Sequence, residues 1–153
     1  MGIEIERKYL VNGAPFETWG AGVKMKQGYL ARGKSATTRI RVAGEIGFLT
    51  IKGKTEGISR LEFEYEIPVT EAEELLKLCE GIVIAKTRWR VPYGSHLWEV
   101  DVFEGENQGL TVAEIELESE DELFEKPSWV GGEVSDDPRY FNGALSRHPF
   151  TQW

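Results

Sequence analysis

Glu4, Glu6 and Lys8 fall at every second position of the opening stretch Gly2-Ile3-Glu4-Ile5-Glu6-Arg7-Lys8-Tyr9-Leu10. Side chains of a β-strand alternate between two faces, so these three share one face while Ile3 and Ile5 take the other. Two carboxylates about 7 Å apart followed by an ammonium make a strip that could hold a divalent metal and orient a reactant beside it. Taken alone, the strip could equally be the wet face of an amphipathic strand.

The same spacing recurs along the chain. Arg39 and Arg41 alternate, as do Lys52 and Lys54, then Arg60, Glu62 and Glu64, then Lys86, Arg88 and Arg90, then Glu99 and Asp101, then Glu114 and Glu116. Bulky apolar residues, among them Ile40, Ile51, Phe63, Trp89, Val100 and Ile115, occupy the opposite parity. Alternation alone fits any sheet with one solvated face, but the signs here are blocked along each strand. Like charges on one face destabilise a sheet by a few tenths of a kcal/mol or more, and surfaces ordinarily mix their signs. Blocks of one sign make sense where counterions belong: oxygen ligands for Mg²⁺ or Mn²⁺, and guanidinium forks and ammonium groups for phosphate oxygens.

The elements that must position these residues are strands. Turn residues separate about eight alternating segments, and about eight strands is the number at which a sheet closes into a small barrel. The expected fold is α+β: a closed, eight-stranded antiparallel barrel with a charged interior and helices packed outside. Thr70 with Glu73 has capping-box spacing, and Ala72, Leu75, Leu76 and Cys79 form an apolar stripe, which predicts a helix ended by Gly81. Weaker helical signals lie at Phe16–Val23, Asp121–Lys126 and Pro138–Ser146. Pro92–Ser95 reads as a turn, and Cys79 as a core residue.

With 153 residues, the chain is expected to form a single domain, 1–153. Its net charge of −8 argues against nucleic-acid binding but not against a small anion met by gathered cations. A single cysteine, no apolar run of membrane-spanning length and no signal-like opening suggest a soluble cytoplasmic protein. Polar-in, apolar-out alternation is also the pattern of an outer-membrane barrel, a rival weakened by strands that read as short. His96 and His148 lie in turn and tail segments and do not read as ligands.

The ordered set Glu4/Glu6/Lys8, Arg39/Arg41, Lys52, Arg60/Glu62/Glu64, Lys86/Arg88, Glu99/Asp101 and Glu114/Glu116 resembles the CYTH family, the triphosphate tunnel metalloenzymes. The ending Trp129-Val130-Gly131-Gly132-Glu133-Val134 and Arg139-Tyr140-Phe141-Asn142 is similar to that of short bacterial members. The resemblance implies divalent-metal-dependent hydrolysis of a small triphosphate, foremost inorganic tripolyphosphate, and a homodimer as one assembly. It leaves adenylate cyclase, thiamine or nucleoside triphosphatase and a non-catalytic polyphosphate-binding module as alternatives.

On this reading Arg39, Arg41, Lys52, Arg88 and Arg90 clamp phosphate oxygens, with Arg60 and Lys86 adding charge or orienting carboxylates. Glu4, Glu6, Glu114 and Glu116 hold a metal, while Glu62, Glu64, Glu99 and Asp101 hold a second one or steady the cations. Lys8 is the candidate activator of water, and the resemblance pairs it with Tyr29.

Overall fold

The computed structural model describes residues 2–153, built on nine strands: β1 (Gly2–Val11), β2 (Val23–Arg32), β3 (Ala36–Ala43), β4 (Ile46–Gly53), β5 (Ser59–Ile67), β6 (Glu80–Tyr93), β7 (His96–Phe103), β8 (Thr111–Glu116) and β9 (Val130–Glu133). The neighbour order β5-β4-β3-β2-β6-β7-β8-β1 closes on itself because β1 also pairs with β5. Every pairing is antiparallel, and the eight strands form the expected barrel.

The closing strand is divided along its length. Gly2 to Ile5 pair with β5 and Glu6 to Leu10 with β8, which leaves the β5-side edge of the second half of β1 open. The short β9 takes that edge through Tyr9↔Glu133 and Val11↔Val130, an extra strand that the alternation pattern did not announce.

Strand parity sorts the side chains as the charge pattern demands, charged inward and apolar outward. An outward barrel face needs cover, and two covers are built. Helix α1 (Val69–Leu76) lies over β2 to β4, burying Ile40, Val42, Ala72 and Leu76 with Cys79 alongside. Gly47 permits the approach, since a Cβ there would come 2.7 Å from that of Ala72. On the opposite side, Tyr9, Trp98, Val100, Ala113, Ile115 and Leu117 are sealed by Phe16, Trp19, Phe124 and Trp129, whose rings meet edge to face.

A third apolar cluster lies inside. Ile84, Phe103 and Val112 share the inward parity of Lys86, Asp101 and Glu114, and with Leu110 they receive Leu145, Tyr140 and Phe150 of the C-terminal tail. One end of the barrel interior is thus plugged by the tail, including α2 (Asn142–Leu145).

Several local expectations need correction. Helix α1 begins after Pro68, whose carbonyl accepts from the amides of Glu71 and Ala72, and no side chain caps it. Glu73 instead pairs with Lys26 of β2 at 3.1 Å, so a tertiary ion pair displaces the capping box. Gly81 belongs to β6 with φ of 69°, and a Cβ there would collide with the Ser146 carbonyl; the approaching tail requires the glycine. The Phe16–Val23 signal yields one 3-10 turn, Phe16–Thr18, and Asp121–Lys126 forms no helix. The hairpin of β6 and β7 turns on Gly94-Ser95, with Pro92 still in the strand.

Candidate active site

The barrel lumen holds a cavity of about 610 Å³. All the sequence-predicted residues line it except Arg90 and Asp101. Arg90 sits near the rim with most of its side chain exposed, 3.7 Å from Glu99. Asp101 is completely buried behind the wall.

The wall formed by β6, β7 and β8 is an ion cluster with its charges matched. Arg88 donates to both oxygens of Asp101 at 2.7 and 2.8 Å, and Lys86 Nζ lies 2.8 Å from the second of them. Burial raises the Asp101 carboxyl, but Arg88 and Lys86 outweigh it and hold it below the ordinary carboxylate range. Burial drives the Lys86 ammonium down to about 7 despite Asp101. Arg88 also lies 3.4 Å from Glu99 and 3.7 Å from Glu114.

A second matched cluster closes the barrel seam. Glu4 Oε1 accepts from Lys52 Nζ and Arg60 Nε, both at 3.1 Å, and Lys52 also meets Glu62 at 3.0 Å. Burial would raise the Glu4 carboxyl, yet Lys52, the Glu62 hydrogen bond and Arg60 bring it to about 2.

Elsewhere in the lumen the matching is incomplete, and Arg41, Glu6 and Glu116 have no salt-bridge partner among the described residues. Arg41 Nε donates to the neutral amide oxygen of Gln27 at 2.9 Å, and no carboxylate pairs with it among the described residues. Burial, then Arg39 and Arg88, depress its guanidinium to about 9. Arg39 is buried and meets Glu64 and Thr50 through Nη2, both at 3.3 Å, but its Nε has no acceptor.

Across the lumen, burial and the Glu114 and Glu4 carboxylates push the Glu6 carboxyl well above its ordinary value. Glu116 is raised by burial and by Glu4, Glu62 and Glu99. Glu62 is raised too, with burial and Glu4 outweighing Lys52. Glu114 falls well below its ordinary value, because Lys8, Arg88 and the Glu6 hydrogen bond outweigh burial. This excess of carboxylate is the donor set that a hard divalent cation requires. No three such side chains form a closed ligand shell among the described residues, so the fit rests on donor chemistry.

Lys8 Nζ faces the cavity, donates to the Tyr140 carbonyl at 3.2 Å and lies 3.9 Å from Glu114. Tyr29 is buried, with the Arg32 guanidinium 5.3 Å above its ring.

Some cavity residues were not among those singled out from the sequence. Arg32 lines the lumen because a bulge between Tyr29 and Ala31 resets the strand parity: it pairs with inward-facing Thr37, where plain alternation would turn it outward. Ser135, Asn142, Arg147 and His148 come from the tail, which has no strand periodicity to read. Gln27 carries no charge and escapes any search for charge patterns.

Residues 2–141 match the CYTH domain model. The chain is 50% identical to an inorganic triphosphatase of Acetivibrio thermocellus over 151 residues, 98% of this chain and 97% of that protein. It is 42% identical to an inorganic triphosphatase of Nitrosomonas europaea over 148 residues, 94% and 96% of the two chains. A solved inorganic triphosphatase structure superposes with a TM-score of 0.67 at 38% identity, covering 93% and 96% of the two chains. The charged lumen and the match along its length agree: the chain belongs to the CYTH domain family.

Proposed function

We propose that this protein hydrolyses inorganic tripolyphosphate to pyrophosphate and phosphate with a divalent metal, Mg²⁺ or Mn²⁺. The observation that carries the reading is the separation of unsatisfied groups within one cavity: the Arg41 guanidinium and the unpaired Arg39 Nε donor on one side, and the Glu6 and Glu116 carboxyls on the other. Buried charge without a partner is costly, and a polyphosphate with its cation supplies both missing signs at once.

Arg39, Arg41 and Lys52 bind non-bridging oxygens, with Gln27 holding Arg41 without neutralising it. Arg88, Lys86 and Arg60 add positive potential, each already tied to a carboxylate. Arg90 serves at the rim. Glu4, Glu6, Glu114 and Glu116 are the residues that would hold the metal, with Glu62 beside them. Bound there, the cation supplies Lewis-acid stabilisation of charge on the transferring phosphoryl group. Glu64, Glu99 and Asp101 steady Arg39, Arg88 and Lys86.

We assign to Lys8 Nζ, on the cavity wall, the orientation of the attacking water and, as the unprotonated amine, the acceptance of its proton. The water oxygen bonds the terminal phosphorus as the bond to the bridging oxygen breaks, and the electron pair leaves with pyrophosphate. Tyr29, the partner that the family resemblance gives Lys8, stands at the lumen wall beneath the Arg32 guanidinium.

The same reading takes 1–153 as one domain and, from its free cysteine, a reducing cytoplasmic setting. A second copy would pack on the exposed outer residues Ile3, Leu61, Phe63 and Tyr65 of β1 and β5, making the homodimer that the family resemblance implies. Phosphate release from tripolyphosphate, pyrophosphate, ATP and thiamine triphosphate, each with Mg²⁺ and with Mn²⁺, tests the activity. Tripolyphosphate should turn over fastest; cyclic AMP from ATP, or tight binding with no phosphate released over hours, would overturn it.

A further inference from the structure

The tail that plugs the barrel also reaches the charged part of the lumen. It is fastened on two sides: the Tyr140 carbonyl accepts from Lys8 Nζ, and Arg32 Nη1 donates to the Gly143 carbonyl and to Ser146 Oγ. Between these fastenings stands Asn142, with its side chain on the cavity wall. Its Oδ1 lies 3.2 Å from Lys86 Nζ.

Lys86 Nζ faces the Asp101 carboxylate at 2.8 Å and so stands as a donor, and this contact fixes which way the amide faces. The oxygen is committed to Lys86, and the Nδ2 amino group is left as a donor. Nδ2 finds no acceptor among the described residues, and it is not one of the fully buried orphan atoms, so it is open to the cavity. Lys86 is itself immobilised by Asp101 at 2.8 Å and by the Phe103 ring, so the amide is held by a rigid partner. Farther out, Arg147 lines the same cavity and has no carboxylate partner among the described residues.

We propose that Asn142 is a further substrate-binding residue, its Nδ2 donating to a non-bridging oxygen of the bound triphosphate. The inference rests on the triphosphate reading of the lumen. The tail then does two jobs, sealing the apolar end of the barrel and presenting a neutral donor that adds a directional contact without further cationic crowding near Lys86 and Arg88.

The competing role is purely structural, with Asn142 serving only to seat Lys86. Asn142→Asp separates the two. It keeps an acceptor for Lys86 but replaces the donor with a carboxylate facing phosphate. The assay is steady-state kinetics on tripolyphosphate with Mg²⁺, together with calorimetric binding of imidotriphosphate, on wild type, Asn142→Ala, Asn142→Ser and Asn142→Asp.

A substrate contact predicts KM and Kd raised about ten- to a hundredfold in Asn142→Ala, further in Asn142→Asp, with kcat changed less. Asn142→Asp performing as well as or better than Asn142→Ala, or KM and Kd unchanged in Asn142→Ala, would overturn the proposal. Melting temperatures identify a variant that fails to fold, and Asn142→Ser then serves as the milder deletion. Absence of turnover in the wild type would count against the triphosphatase reading itself, while the rank order of imidotriphosphate affinities would still decide the role of Asn142.

Discussion

Asp101 and Arg41 are inward-facing charges of the same barrel, and their surroundings are opposite. Asp101 is enclosed by a bidentate arginine and a lysine, every contact at 2.7–2.8 Å. Arg41 has a neutral glutamine for its partner and two other guanidinium groups for neighbours. The first arrangement is complete without a ligand; the second is not. Glu6 repeats the second case with the sign reversed, crowded by Glu114 and Glu4. Charge matched within the protein holds the lumen in shape, and charge left unmatched marks where ligand and cation belong.

Lys8 joins the two kinds of site, tied to Glu114 and the tail yet facing the open cavity. Lys8→Ala should lower kcat for tripolyphosphate by about 10²–10⁴-fold, the range for loss of a general acid–base group; turnover near wild type would remove it from the mechanism. Asp101→Asn breaks the matched cluster and leaves buried cations uncompensated. Chemical denaturation should show about 3–5 kcal/mol less stability, and a loss confined to kinetics would erase the contrast with Arg41. Arg41→Ala should do the reverse, raising KM about ten- to a hundredfold at nearly unchanged stability.

The smallest expected effect concerns pH. Glu6 has a folded-state value raised above the ordinary 4.5, so its contribution to stability is present below that value and is lost as pH rises through the folded one. Metal-free Glu6→Gln should therefore gain in melting temperature over wild type as pH rises from 4 to 8. Mg²⁺ should stabilise wild type increasingly over the same range, because its binding displaces the Glu6 proton. A difference between the two proteins that does not vary with pH would contradict the assignment.

The matched and unmatched charges were legible in the sequence to different degrees. Sign blocking along the strands picked out Glu4, Glu6, Arg39, Arg41, Lys86 and Glu114 together, because period two is rigid and each strand keeps its parity. It could not tell Asp101 from Glu99, which share spacing and charge; burial and register separate them. Arg32 escaped because a bulge shifted its parity, and Gln27 because it is uncharged. Asn142 escaped because the tail folds by packing Leu145 and Phe150 into the barrel, with no periodic pattern on which to place it. The capping box at Thr70 failed for a related reason, since Lys26 claims Glu73 from another element.

Calorimetric titration of imidotriphosphate in the presence of Mg²⁺, comparing wild type with Arg41→Gln, tests most directly whether the unmatched lumen charges are ligand seats. The expected result is one ligand per chain, bound far more tightly than orthophosphate and weakened about tenfold or more by the substitution. Equal affinity for orthophosphate, or an affinity indifferent to Arg41→Gln, would contradict it.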